Sequence, residues 1–155
     1  MGVGKTTTCQ ILKQKLDNSA FLDGDWCWDM HPYQITDETK IMVQENIGFV
    51  LNNFIHCTVY DNIIFCWVMH HQSIIDDILS TLDTDGCEVH VISLVCEEEA
   101  LVKRLNADVQ AGIRSQDVVD RSIKRIPLYA DLLTDKIDVT TISPIEAAEQ
   151  IMLLL

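Results

Sequence analysis

Apolar and polar positions along the chain alternate between two periods. Cys9, Leu12 and Leu16 recur at helical spacing, with Lys13 and Lys15 off that face. Ser19 to Asp23 is a short strand that ends on an acid. Trp26 to Ile35 is polar and aromatic and reads as a loop containing His31-Pro32. Thr36 then caps a long helix with Asp37 and Glu38 in its first turn and Ile47, Val50, Leu51, Phe54 and Ile55 on its apolar face. Asn62 to Met69 is a continuous apolar run, as a buried parallel strand requires. A helix starts at Ser73, turns Ile74, Ile75, Ile78, Leu79 and Leu82 inward, and stops at Gly86.

The second half keeps the rhythm. Glu88 to Val95 is a strand, and Glu97 to about Asp108 a helix with three glutamates at its positive end. Ser115 to Tyr129 reads as a basic helix stopped near Pro127, and Ile137 to Thr141 as a last strand. Ser143-Pro144-Ile145-Glu146 is a capping box with proline in the first turn of a final helix. Strand and helix alternate throughout, which predicts an α/β fold with a parallel sheet and helices on both faces. No internal repeat or linker divides the 155 residues, so residues 1–155 read as a single domain.

The candidate chemistry begins at the start. Gly2-Val3-Gly4-Lys5-Thr6-Thr7 is the later part of the phosphate-loop pattern G-x-x-x-x-G-K-[ST]. Glycines let a backbone turn its N–H groups onto phosphate oxygens, and the following helix adds the positive end of its dipole. Lys5 is placed to reach the β- and γ-phosphates, Thr6 to offer its hydroxyl to Mg²⁺, and Thr7 to donate to the α-phosphate. The first glycine of the pattern would fall before Met1. The strand that normally precedes such a loop is central and paired on both sides. The expectation is therefore that about eight further residues precede Met1, an apolar strand plus the missing glycine and its neighbour. A structure of residues 1–155 should then show an interruption in mid-sheet.

Charge modifies this picture. The net charge is −13, which argues against nucleic acid and anionic membrane surfaces as partners. Yet a polyphosphate ligand is itself an anion. Six of the eleven basic residues, Lys103, Arg104, Arg114, Arg121, Lys124 and Arg125, fall in one segment opposed only by Asp108, Asp117 and Asp120. That segment reads as a phosphate-directed lid. A solvated helix face with pairs such as Asp117–Arg121 is the plain alternative. No apolar run reaches the length of a membrane span and no signal peptide is visible, so the expected location is the cytosol. The six cysteines contain no C-x-x-C, and buried thiols are expected rather than disulfides or a zinc site.

Leu22-Asp23-Gly24-Asp25-Trp26 is the second signal. It stands at the end of a strand, where open parallel sheets bind ligands. An acid there orients a hydroxyl and accepts its proton during phosphoryl transfer, and a second acid reaches Mg²⁺ through water. A D-G turn with no chemical role is the alternative. Trp26, Trp28 and Trp67 all lie near strand ends, available for stacking on an acceptor or for bracing the core.

Gly-Lys-Thr-Thr opening a helix, L-D-G-D about twenty residues on, and an arginine-bearing segment after the strand over 88–95 together resemble the small-molecule kinases of the phosphate-loop superfamily. Shikimate, gluconate, adenylylsulfate and nucleoside monophosphate kinases are similar, as are chloramphenicol phosphotransferase and tunicamycin-resistance proteins. The layout of Val91 to Ile151 is most similar to the last of these. The resemblance implies a three-layer αβα fold with its first, central strand missing from this chain, and a lid around residues 104–125. It implies ATP and Mg²⁺ as cofactors and transfer of a γ-phosphoryl group to a small metabolite, nucleotide or antibiotic, by a monomer or homodimer. By motif, Gly2, Val3, Gly4, Lys5, Thr6, Thr7 and Arg104 would bind nucleotide. Lys5, Asp25, Arg114 and Arg121 would be catalytic. Asp23, Asp25 and Trp26 would meet the acceptor, and Thr6 and Asp23 would serve the metal. Arg104 resembles an arginine that packs on adenine, with Thr141 to Pro144 near the base. One departure is that Trp67-Val68-Met69-His70 carries no acid, where such folds often have a Walker B aspartate. A nucleotide-binding module without transfer activity is the alternative function.

Overall fold

A computed structural model describes residues 1–155. The chain divides into two compact units, one of residues 9–69 and 73–89, the other of residues 1–8, 70–72 and 90–155. Helix α1 (Lys5–Lys15) has its first turn in the second of these and the remainder in the first.

In the unit of residues 9–69 and 73–89, β1 (Ser19–Asp23) and β2 (Asn62–Cys66) pair in parallel, from Ser19 opposite Asn62 to Asp23 opposite Cys66. Helix α2 (Asp37–Ile55) makes the crossover between them. Its start is fixed by Thr36, whose hydroxyl accepts from the Thr39 N–H at 3.1 Å while Thr39 Oγ1 accepts from the Thr36 N–H at 2.8 Å. Val43, Ile47 and Leu51, spaced four apart, form one buried stripe against Leu22 and Ile78. Each such side chain contributes about 1.5–3 kcal/mol by leaving water.

Helix α3 (Gln72–Ser80) is shorter than its apolar pattern predicts and ends well before Gly86. The cause is Asn52 on α2. Its side-chain amide donates to the Thr81 carbonyl and accepts from the Asp83 N–H, both at 2.8 Å, and so takes over the groups that a further helical turn would use. The strand expected over 62–69 likewise stops at Cys66, because its partner β1 gives way to a 3-10 helix at Gly24.

In the unit of residues 1–8, 70–72 and 90–155, β3 (Ile92–Val95) and β4 (Asp135–Asp138) pair in parallel, Ile92 opposite Asp135. β3 is shorter than its sequence pattern suggests, and β4 starts two residues before the expected Ile137 and ends three before Thr141. The pairing continues by one bond at each end, Asp135 N–H to the Val91 carbonyl and Val139 N–H to the Val95 carbonyl. Helix α4 (Glu98–Gln110) buries Leu101 and Leu105 against Val118, with Met1, Val3 and Ile126 packed around them. The long basic helix expected over 115–129 is instead α5 (Val118–Ile123) followed by a 3-10 turn over Ile126–Tyr129. Pro127 has no N–H to continue an α-helical ladder and restricts the residue before it, which accounts for the break. Helix α6 (Pro144–Met152) starts from the expected capping box: Ser143 Oγ accepts from the Glu146 N–H and Glu146 Oε2 from the Ser143 N–H.

The parallel pairing is therefore as expected, but it forms two two-stranded ladders, β1–β2 and β3–β4, rather than one continuous sheet. β2 and β3 share no common partner strand. All six cysteines are free thiols. Only Cys66 is fully buried, and Cys87 is exposed.

Candidate functional site

The glycine loop has the backbone its sequence demands. Gly2 and Gly4 have φ of +79° and +94°, which side-chain-bearing residues rarely adopt. A Cβ on Gly2 would also lie 2.6 Å from Leu105 Cδ2, so the loop rests directly on the α4 core. The Thr8 N–H bonds the Gly4 carbonyl at 2.9 Å and closes the first turn of α1. No acidic residue stands in that turn to compete for an anion. Lys5 is half-buried, while Thr6 and Thr7 are exposed.

Behind the loop lies an open cavity of about 130 Å³, lined by Gly2, Gly4, Thr8, Arg104, Val139 and Ser143 among others. Two of its features were not legible in the sequence. Thr8 is 1% exposed, and its Oγ1 has no hydrogen-bond partner within the protein. A buried hydroxyl left in that state is costly, so it is suited to a ligand or water in the cavity. Its only sequence signal was a third threonine after the motif. Arg104 Nη2 donates to the Val139 carbonyl at 2.6 Å and the Thr140 carbonyl at 3.1 Å. Its guanidinium thus braces the chain leaving β4 and forms a wall of the cavity.

The other arginines assigned from sequence are engaged by carboxylates. Arg114 Nε meets Asp108 Oδ2 at 2.9 Å, both about one-third exposed. Arg121 Nε meets Asp117 Oδ2 at 2.8 Å, both more than half exposed, which is the helix-face pairing weighed above. Ser115 Oγ also donates to Asp117, and these partners hold the Asp117 carboxyl below its usual range. Burial, followed by the charges of Lys5, Arg125 and Arg114, pushes the Met1 amino group down to about 5.

The acidic strand end belongs to the unit of residues 9–69 and 73–89. Asp23 is 5% exposed at the end of β1, and its Oδ1 accepts from the Asp25 N–H at 3.0 Å. It thereby caps the 3-10 helix Gly24–Trp28 and turns Asp25 out to solvent. Cys66, opposite Asp23 in the ladder, hydrogen-bonds both Cys9 and Asp23. The bond to Cys9, burial and the Asp23 charge together push its thiol far up. A protonated thiol thus ends β2.

Gly24 is needed for close packing rather than for turn geometry. A Cβ there would lie 2.6 Å from Trp67 Cγ. Trp67 and Trp28 pack against the core of this unit, whereas Trp26 is 56% exposed and meets Phe21 edge-on at 5.4 Å. Gly24→Ala should lower the unfolding free energy by about 1–3 kcal/mol through overpacking. A thermal unfolding midpoint unchanged within a degree would rule out that contact.

The structure thus brings Gly2, Val3, Gly4, Lys5, Thr6, Thr7, Arg104, Arg114 and Arg121 into one unit, and Asp23, Asp25 and Trp26 into the other. No group of three or more His, Cys, Asp or Glu side chains converges as a metal site. Mg²⁺ commonly takes one or two protein oxygens and completes its shell with phosphate and water, and an exposed Thr6 hydroxyl beside an anion cradle fits that habit.

The AAA domain family AAA_18 matches residues 1–124. No curated protein matches the chain in sequence. Among solved structures, the tunicamycin resistance protein of Deinococcus radiodurans superposes with a TM-score of 0.71 at 17% identity, over 99% of this chain and 89% of that one. A gluconokinase from Sinorhizobium meliloti gives 0.67 at 15% identity, over 97% and 83%. A sugar kinase from a Janibacter species gives 0.69 at 15% identity, over 98% and 87%. At such identities the likeness establishes the fold. The chain belongs to the AAA_18 family and has the α/β fold of the phosphate-loop small-molecule kinases.

Proposed function

We propose that this chain is a phosphotransferase that moves the γ-phosphoryl group of Mg·ATP to a hydroxyl or phosphate of a small metabolite, nucleotide or antibiotic. The observation that carries the reading is the glycine loop. Gly2 and Gly4 hold a left-handed backbone at the start of α1, beside a half-buried Lys5 and the cavity containing the unpartnered Thr8 hydroxyl. Backbone N–H groups, a helix dipole and a lysine aimed at one place form an anion receptor. The family and the fold support a nucleotide polyphosphate as that anion.

In this reading Gly2, Val3 and Gly4 cradle the β-phosphate, Lys5 draws charge from the β- and γ-oxygens, and Thr7 donates to the α-phosphate. The base lies in the cavity walled by Arg104 and Ser143. Thr6 contributes an oxygen to Mg²⁺, with Asp23 acting through water. The metal's contribution is to neutralise phosphate charge as the phosphoryl group departs. Asp25, turned out to solvent by the Asp23 cap, orients the acceptor hydroxyl and takes its proton, and Trp26 lies beside it as a stacking surface. Residues 104–125 act as the lid of a single kinase-like domain. Arg114 serves the transferred group, and Arg121 joins it only by leaving Asp117. Positioning and charge neutralisation provide most of the catalysis. The protein works in the cytoplasm as a monomer or homodimer, without nucleic acid or membrane. No helix is long and apolar enough to cross a membrane.

A second reading has one observation in its favour. Cys66 ends β2 with a protonated thiol instead of a carboxylate, which suits a module that binds nucleotide without turning it over. ADP release separates the two. With Mg·ATP and pools of sugars, sugar acids, nucleosides, nucleotides and antibiotics, the phosphotransferase reading expects one pool to raise ADP release at least about tenfold over the protein alone. Tight ATP binding with no stimulation by any pool would support the module instead.

A further inference from the structure

The basic residues are divided unequally between the two units. All four arginines lie between residues 104 and 125, outside the unit that holds Asp25. The lysines and arginines of that unit, residues 9–69 and 73–89, are only Lys13, Lys15 and Lys40. Lys13 and Lys15 stand in the last turn of α1, where the Ser19 hydroxyl donates to the Lys13 carbonyl at 2.6 Å. They therefore adjoin the start of β1, whereas Asp25 follows its end, roughly 13 Å further along the strand. Lys40 Nζ is held by Asp37 at 3.0 Å. The chain around Asp25 is otherwise acidic, with Asp23, Asp29, Glu38 and Glu45. A carboxylate or phosphate brought to this strand end meets like charge and no unpaired lysine or arginine of the unit.

The same strand end presents rings. Residues three apart eclipse in a 3-10 helix, so Asp25 and Trp28 share one face of Gly24–Trp28. The Tyr33 ring lies against Trp28 with centroids 5.9 Å apart, and Tyr33 is 62% exposed. Trp26, also largely exposed, is held edge-on by the buried Phe21. Trp26 beside position 25, and the Trp28–Tyr33 pair one turn on, thus give two aromatic surfaces anchored on one side and open on the other. Rings fixed in this way bind a flat or apolar face without needing charge on the ligand.

We infer that the acceptor is an alcohol with an aromatic ring or an apolar face and no carboxylate, phosphate or sulfate group. The inference rests on the phosphotransferase reading and narrows its acceptor to an uncharged or cationic compound. In the transfer, the acceptor oxygen bonds to the γ-phosphorus as the bond from that phosphorus to the β–γ bridging oxygen breaks. The electron pair of that bond leaves with ADP, and the hydroxyl proton passes to Asp25. Stacking on Trp26 and Tyr33 supplies affinity, and the surrounding carboxylates select by repelling anions.

The test is ADP release by the whole chain with Mg·ATP and acceptors taken in pairs that differ in charge. Hydroxy acids are set against their amides, aryl glucuronides against their methyl esters, and nucleoside monophosphates against nucleosides. The member without the anionic group should have the higher kcat/KM, by about tenfold or more at low ionic strength. That ratio should narrow as salt rises to roughly 0.5 M, because repulsion by exposed carboxylates is screened and shape is not. Trp26→Ala should raise KM for the better acceptor about two- to tenfold, and more than it lowers kcat. ADP release driven best by a carboxylated or phosphorylated member would overturn the inference and leave the phosphotransferase reading standing. So would a KM that neither Trp26→Ala nor Tyr33→Ala alters. If no acceptor raises ADP release above that of the protein alone, the phosphotransferase reading fails and the acceptor class falls with it.

Discussion

Lys5→Ala should cost about ten- to a hundredfold in affinity for Mg·ATP, and phosphoryl transfer should fall below detection. The basis is charge. An ammonium that meets phosphate oxygens in a partly desolvated cradle contributes a charge-assisted hydrogen bond of about 1.5–3 kcal/mol to binding, and more as charge builds on the transferred group. Arg104 and Arg114 are tied to backbone carbonyls and to Asp108 and do not take over its place at the helix start. Lys5 is half-buried with no acidic partner, so its removal should leave the thermal unfolding midpoint nearly unchanged. Equal ATP affinity in the variant and the parent, measured by calorimetry, would end the phosphate-loop reading.

Asp25→Asn should have a different signature. ATP binding should persist, and turnover with the acceptor should drop by about 10²–10⁴, the usual contribution of a positioned general base. Asparagine keeps the size and the hydrogen-bonding of the side chain but does not accept the proton. The Asp25 N–H still bonds Asp23 Oδ1, so the 3-10 turn over Gly24–Trp28 survives the change. Fold and ATP affinity then serve as internal controls. A variant with parental turnover would move the acceptor site away from this strand end.

The elements that sequence resolved best are those whose signals are local. Ser19 to Asp23 ends where a buried acid meets a glycine, and the Thr36 and Ser143 caps lie where side-chain oxygens satisfy the first free N–H groups of α2 and α6. The misjudged boundaries depend on distant partners. Asn52 stops α3 from a position 29 residues before Thr81, and β3 extends only as far as β4 can pair with it. The candidate site divides the same way. The glycine loop and the acidic strand end were legible because their chemistry requires particular residues at close spacing. The commitments of the arginines were not, since sequence counts charges but does not say which guanidinium a nearby carboxylate has claimed. The solitary hydroxyl of Thr8 was hidden for a related reason, as its burial depends on residues around 139–147.

The split ladder has a consequence unrelated to catalysis. Each of the four strands has a single partner strand, and an unpaired strand edge that reaches solvent readily recruits another polypeptide. Electrostatic repulsion between copies opposes this, because every molecule carries a net charge of −13. Dissolved salt shortens the reach of that repulsion to roughly 8 Å at physiological ionic strength. Association between copies should therefore rise with ionic strength, a trend that light scattering against salt concentration would read.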